Sequence, residues 1–212
     1  MTLAIVDYEA GNLTSVARAI RSFGFEAVVT QDPETILRAG RVIFPGVGAA
    51  GSAMASLKRL GLDRVLRQVR DAGAPLLGIC LGTQIIFDFS EEDGGVECLG
   101  LLPGVTRRFP ADLRGNGGKL KVPHMGWNQV QKVREHPVLA GIEPDHEFYF
   151  VHSYYADPAD PDLAAGWTDY GLRIASIVAR DNLIATQFHP EKSGRPGLTL
   201  LRNFCEWDGS YA

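Results

Sequence analysis

The chain has 212 residues, with 45% hydrophobic and 22% charged side chains and a formal net charge of −4. That length and balance suit one α/β domain with a sizeable core and exclude a disordered chain. The slight acidic excess argues against nucleic acid as the main partner. The opening MTLAIVDYEAGN has no positive leader and meets Asp7 at once, so no secretory signal is expected. The apolar runs are strand length, well short of the roughly 20 residues of a membrane span. Cys80, Cys98 and Cys205 are widely spaced and form no CxxC pair, so neither a disulfide framework nor a zinc site is expected. These features point to a reduced, cytoplasmic protein.

Taken in order, Leu3 to Val6 reads as a strand ending at Asp7-Tyr8. Gly11-Asn12 reads as a turn with Asn12 as helix cap, and Leu13, Val16, Ile20 and Phe23 recur at helical spacing up to Gly24. Ala27 to Val29 is a second strand, and Asp32-Pro33 opens a short helix. Val42 to Phe44 is a third strand, running into Pro45-Gly46-Val47-Gly48. Helical patterns follow through Met54 and Leu57, then through Leu62, Val65, Leu66 and Val69, closed by Gly73. Strands alternating with helices predict a mostly parallel sheet flanked by helices, with sites at the carboxyl ends of the strands. After Phe89 the pattern changes. The acidic Ser90 to Gly95 reads as a solvated loop, and Arg114 to Gly118 as a glycine-rich turn. Phe148 to Val151, Ile174 to Val178 and Ile184 to Phe188 read as additional strands, mixed or antiparallel, appended to the parallel sheet. Gly197 to Trp207 reads as a closing helix, and nothing divides residues 1–212 into two domains.

The chemistry centres on Pro75 to Gln84, PLLGICLGTQ. An apolar strand stops at Cys80, and a helix through Ile85-Ile86-Phe87 is expected to follow. Gly78-x-Cys80-x-Gly82 is the cysteine form of a nucleophile elbow, in which the turn is strained and a Cβ on either side would crowd it. The start of the helix favours thiolate over thiol. A thiol nucleophile needs a base. His136 and His146 sit among charged residues and prolines and read as surface histidines, whereas His189 directly follows a strand. Pro190 keeps the chain extended there, which would put Glu191 on the same side as His189. Cys80, His189 and Glu191 can then act as nucleophile, base and orienting carboxylate.

GICLGTQ at 78–84 together with QFHPEKSG at 187–194 resembles the class I, or triad, glutamine amidotransferases. VDYEAGNLTSV at 6–16, PGVGAAGSAM at 45–54, GVECLGLLPG at 95–104, KVPHMGWN at 121–128 and FYFVHSYY at 148–155 resemble, more closely, the glutaminase subunits of imidazole glycerol phosphate synthase in histidine biosynthesis. The likeness runs through essentially the whole chain. It implies a flavodoxin-like fold, with Cys80, His189 and Glu191 as the catalytic triad. It implies an oxyanion hole from the Val47 and Leu81 N–H groups, and Gly48, Gln84, His152, Ser153 and Tyr154 as substrate-binding residues. It also implies a heterodimer with a (β/α)8-barrel cyclase subunit, met through Trp127, Asn128 and Lys192. No cofactor or metal is implied, and no nucleic acid or membrane. Two positions depart from the pattern: Thr83, where relatives usually carry Met, and Asp88-Phe89, where a more polar pair is expected. The alternatives are a glutaminase serving anthranilate, guanylate or vitamin B6 synthesis, and a non-catalytic regulatory subunit of the same fold.

Overall fold

The computed structural model describes residues 2–10, 13–115 and 117–210. The turn at Gly11 and the cap at Asn12 lie outside the described residues. The first half alternates strand and helix: β1 (Leu3–Val6), α1 (Leu13–Ser22), β2 (Ala27–Thr30), α2 (Pro33–Arg38), β3 (Arg41–Gly46), α3 (Ala50–Leu60), α4 (Leu62–Asp71), β4 (Leu76–Cys80) and α5 (Leu81–Ile85). The second half is mostly strand: β5 (Phe89–Ser90), β6 (Val96–Glu97), β7 (Gly104–Arg108), β8 (Arg114–Gly115), β9 (Gly118–Lys119), β10 (His124–Gln129), β11 (Gln131–Lys132), β12 (Glu147–His152), β13 (Tyr154–Pro158), β14 (Ala164–Asp169), β15 (Arg173–Arg180) and β16 (Leu183–Thr186). It closes with α6 (Gly194–Glu206), which starts three residues before the glycine at which the sequence predicts it.

Local signals explain most of these boundaries. Asp32 caps α2 by accepting from the Thr35 N–H, and Pro33 takes the first helical position. In α4, Leu62, Val65, Leu66 and Val69 form a buried stripe at helical spacing.

The main sheet has eight strands in the order β11-β14-β15-β16-β4-β3-β1-β2. The five from β16 to β2 run parallel, and β15, β14 and β11 extend one edge antiparallel. The inner parallel strands, β1, β3, β4 and β16, are buried on both faces and read as continuous apolar runs, whereas β2 at the edge exposes Val28 and Val29. Ala4, Val6 and Phe44 join one core with residues of α2, α3 and α4. Leu3, Ile5, Ile43, Leu77 and Ile79 join the other with α1 and α6. Burying each such aliphatic side chain is worth about 1.5–3 kcal/mol, and this fixes the strand ends that carry the site. A smaller sheet, β13-β7-β5-β6, and the antiparallel pair β10–β12 sit over those ends.

The expected helix after Cys80 is shorter than its apolar pattern suggests. It stops at Ile85, where residues 99–101 bind the carbonyl of its last residue and of the two that follow: Leu99 N–H donates to Ile85 O at 2.9 Å, Leu101 N–H to Ile86 O at 2.7 Å and Gly100 N–H to Phe87 O at 2.8 Å. A five-residue helix has little macrodipole, so that part of the expected thiolate stabilisation is small.

Candidate active site

Cys80 ends β4 with φ +55° and ψ −105°, a conformation rare for any residue with a Cβ. The strain is held by close packing on both sides. A Cβ on Gly82 would lie 2.0 Å from the Phe44 carbonyl oxygen, and one on Gly78 would meet Ala185 Cβ at 2.9 Å. The elbow therefore needs glycine at both places, as its spacing predicts. Gly46 pairs with Cys80 across β3 and β4, which brings the Pro45–Gly48 turn beside the sulfur. Gly48 has φ +106°, a backbone state open to glycine and strained for other residues.

His189 lies just beyond β16, held by its own N–H to Tyr149 O at 3.0 Å and by its carbonyl, which accepts from Ser193 Oγ at 2.6 Å. Its Nδ1 is 2.9 Å from Glu191 Oε1, and the two side chains are only 2% and 1% exposed. The pairing arises differently from the sequence expectation. Pro190–Lys192 forms a single 3-10 turn rather than an extended segment, and the turn curls Glu191 back under the ring. Nε2 of His189 is buried with no hydrogen bond, and the ring lines the same pocket as Cys80. Burial alone would lower the His189 pKa, but its interactions with Cys80 and Glu191 outweigh this and raise it to about 9. An imidazole so placed holds a proton beside the sulfur.

The pocket is a cleft of about 310 Å³, at the small end of ligand sites. Cys80, Leu81, Gln84 and His189 line one side, with Val47 and Gly48 above them. His152, Ser153 and Tyr154 close it from β12 and β13. Gln84 uses its amide hydrogens on Tyr154 O (2.9 Å) and Gln187 Oε1 (3.2 Å), which leaves its own Oε1 to receive a donor. Gln187 Nε2 lies 4.0 Å from Cys80 Sγ. Gln187, one residue past the end of β16, reaches the sulfur although it is not among the candidates the sequence offers. Thr83, the departure beside the elbow, is buried and its hydroxyl donates to Thr186 O at 2.6 Å, tying α5 to β16. Asp88, the other departure, accepts from Gly104 N–H at 3.0 Å.

Two residues read as surface groups are not. Glu92 lines the pocket, and its carboxylate accepts from Ala50 N–H at 2.8 Å, capping α3 directly after the Pro45–Gly48 turn. Burial first, offset by that hydrogen bond, raises its pKa. His136 is buried too, its Nδ1 accepting from Val138 N–H at 3.1 Å, because the turn it caps packs beneath α6.

His152 belongs to a buried chain. Its Nδ1 is 2.7 Å from Tyr154 O, and its Nε2 is 3.0 Å from His124 Nδ1. His124 Nε2 is in turn 3.3 Å from Asn128 Nδ2. A carbonyl only accepts, so His152 carries its proton on Nδ1, His124 donates to His152 Nε2, and Asn128 donates to His124. Burial pushes His124 down to about 4 and His152 down to about 3. Both rings are neutral in ordinary buffers.

Trp127, Asn128 and Lys192 lie outside the pocket. Trp127 sits on β10, 53% exposed, on the same side as Met125, which is 62% exposed. Asn128 also donates to Asp169 O at 3.1 Å, and Lys192 is exposed. Among the described residues no cluster of His, Cys, Asp and Glu could hold a metal ion, and no helix is long and apolar enough to cross a membrane.

The family model for glutamine amidotransferase class-I matches residues 4–207. The chain belongs to the class-I glutamine amidotransferases, a family of glutamine-hydrolysing enzymes. Its curated relatives carry a more particular name. The chain is 53% identical to imidazole glycerol phosphate synthase subunit HisH of Desulfovibrio desulfuricans over 206 residues, 97% of this chain and 94% of that one. It is 47% identical to the HisH subunit of Pseudomonas syringae pv. syringae over 211 residues, 99% of each. Among solved structures it resembles a glutamine amidotransferase (TM-score 0.74, 18% identity, 98% and 99% covered). It also resembles PurLQS of Thermotoga maritima (TM-score 0.71, 16% identity, 97% of each chain covered). At those identities the structural likenesses speak for the fold alone.

Proposed function

We propose that this chain is the glutaminase subunit of an imidazole glycerol phosphate synthase in histidine biosynthesis, acting as one domain in the cytoplasm. The observation that carries the reading is an elbow cysteine and a carboxylate-held imidazole lining one pocket, in a chain about half identical to HisH subunits along nearly all its length.

In this reading the Cys80 proton already rests on His189, and the Cys80 thiolate attacks the amide carbon of glutamine. The carbonyl electrons move onto oxygen, where the Val47 and Leu81 N–H groups receive them. One such donor is worth on the order of 10²–10³ in rate. The tetrahedral adduct collapses, the C–N bond breaks, and His189 protonates the departing ammonia. Water, deprotonated by His189, then cleaves the glutamyl thioester and restores the thiolate. Glu191 keeps His189 oriented and stabilises its charged form. Glu92 and Gln84 Oε1 supply acceptors for the α-ammonium of glutamine. Gly48, His152, Ser153 and Tyr154 shape the rest of the cleft.

The ammonia goes to a (β/α)8-barrel cyclase subunit. The exposed Met125 and Trp127 supply an apolar face for it and Lys192 a charge, while Asn128, expected at the same interface, lies on the opposite side of β10 and holds His124 instead. The test is glutamate release by the purified chain, first alone, then with a ribotide analogue and the cyclase subunit. Slow release alone that rises about a hundredfold or more, the size of one oxyanion donor brought into line, supports the reading. Brisk release indifferent to the cyclase would move the same chemistry to another pathway. Loss of labelling by a glutamine-mimicking electrophile in Cys80→Ala is expected, and no labelling of the unaltered chain would leave a non-catalytic subunit.

A further inference from the structure

Tyr8 follows β1 and packs with its ring 5.1 Å from that of Phe44. It is fully buried, and among the described residues its hydroxyl is the one buried hydroxyl without a hydrogen bond. Such a group is costly to keep, and a phenylalanine would avoid the cost. Its position is specific. A Cβ built on Gly46 would come within 1.9 Å of Tyr8 Oη and 3.1 Å of Leu81 Cβ. The hydroxyl thus fills the space beside Gly46, between the Pro45–Gly48 turn and the elbow. The next peptide, 46–47, carries the Val47 N–H.

A trans amide is planar, so its N–H and C=O point opposite ways. A peptide that aims the Val47 N–H at the pocket turns the Gly46 carbonyl away from it, into the protein. A buried carbonyl needs a donor. We infer that Tyr8 is a positioning residue of the oxyanion strand, its hydroxyl donating to the Gly46 carbonyl in the conformation that presents the Val47 N–H to the substrate. This rests on the reading of Pro45–Gly48 given under the proposed function. The hydroxyl is unpaired in the conformation described here, so a turn that brings the Gly46 carbonyl to it gains a hydrogen bond. Burial, and then charge at Cys80, raise the Tyr8 pKa, so the group stays a protonated donor.

The test is steady-state glutamine hydrolysis by the chain with its cyclase subunit, comparing the unaltered protein, Tyr8→Phe, Val47→Pro and the double variant. Tyr8→Phe is expected to lower kcat roughly tenfold, part of the value of one oxyanion donor, with KM within about twofold. Its Tm should stay level or rise, since an unpaired buried hydroxyl is removed. In the Val47→Pro background, Tyr8→Phe should add no further loss, because the two share one function. An unchanged kcat in Tyr8→Phe overturns the assignment alone. A Tm that falls by about 5 °C or more alongside kcat makes Tyr8 structural and also overturns it. An unaltered complex that releases no glutamate, or a Val47→Pro complex at full rate, overturns the underlying reading and this inference with it.

Discussion

Two buried imidazoles line the same pocket and are driven to opposite charge states. His189 is 2% exposed and His152 is 5% exposed, so desolvation pushes both pKa values down. What each ring faces decides whether that push is offset. His189 sits between the Cys80 sulfur and the Glu191 carboxylate, and its pKa is raised to about 9. His152 sits between a carbonyl that only accepts and a second imidazole, and its pKa falls to about 3. Two opposite partners can offset the desolvation of a buried cation; a carbonyl and a neutral ring cannot. One side of the cleft holds a proton on His189. The other is a fixed hydrogen-bond chain whose tautomers are locked from Asn128 inward.

The largest effect should come from His189→Ala. On the proposed mechanism it removes base and acid together, and kcat for glutamine hydrolysis in the complex should fall on the order of 10⁴. A fall of less than about tenfold would erase the distinction between the two rings. The intermediate effect is His152→Phe, which keeps an aromatic ring but cuts the chain to His124. Losing a buried hydrogen bond at about 1–3 kcal/mol should raise KM roughly tenfold while kcat changes by less than about threefold. A collapse of kcat there would mean that His152 carries a proton in the reaction.

The smallest effect is on stability against pH. His189 binds a proton more tightly folded than unfolded, so its contribution is complete below its unfolded pKa of 6.5 and is lost as pH rises toward about 9. His124, His136 and His152 bind theirs more weakly when folded, so their contribution is complete above 6.5 and is lost as pH falls toward about 4 for the first two and about 3 for the third. Tm should therefore peak near pH 6.5. Glu191→Gln should flatten the alkaline limb and leave the acid limb between about pH 5 and 6.5, where ordinary carboxylates stay ionised. Thermal melts across pH check both limbs.

The parts legible in the sequence were those written locally. The GxCxG turn, the alternating strands and helices, and a histidine two residues from a glutamate each declare themselves within a few positions. What the sequence concealed depends on contacts between distant segments. Glu92 reads as loop because its partner, the Ala50 N–H, lies 42 residues away. His136 looks solvated until α6 covers it. The short α5 ends where residues 99–101 bind the carbonyls of Ile85, Ile86 and Phe87, which no helical periodicity could reveal. Trp127 faces outward because β10 pairs with β12 in one register, and a one-residue slip would bury it.

The most direct test of the contrast between the rings is a nitrogen-15 NMR titration of histidine-labelled protein, assigned with His189→Asn and His152→Asn. At pH 7.5 the account predicts His189 protonated on both ring nitrogens, moving with an apparent pKa near 9, and His152 neutral with its proton on Nδ1. A neutral His189 at that pH, or a charged His152, would contradict it.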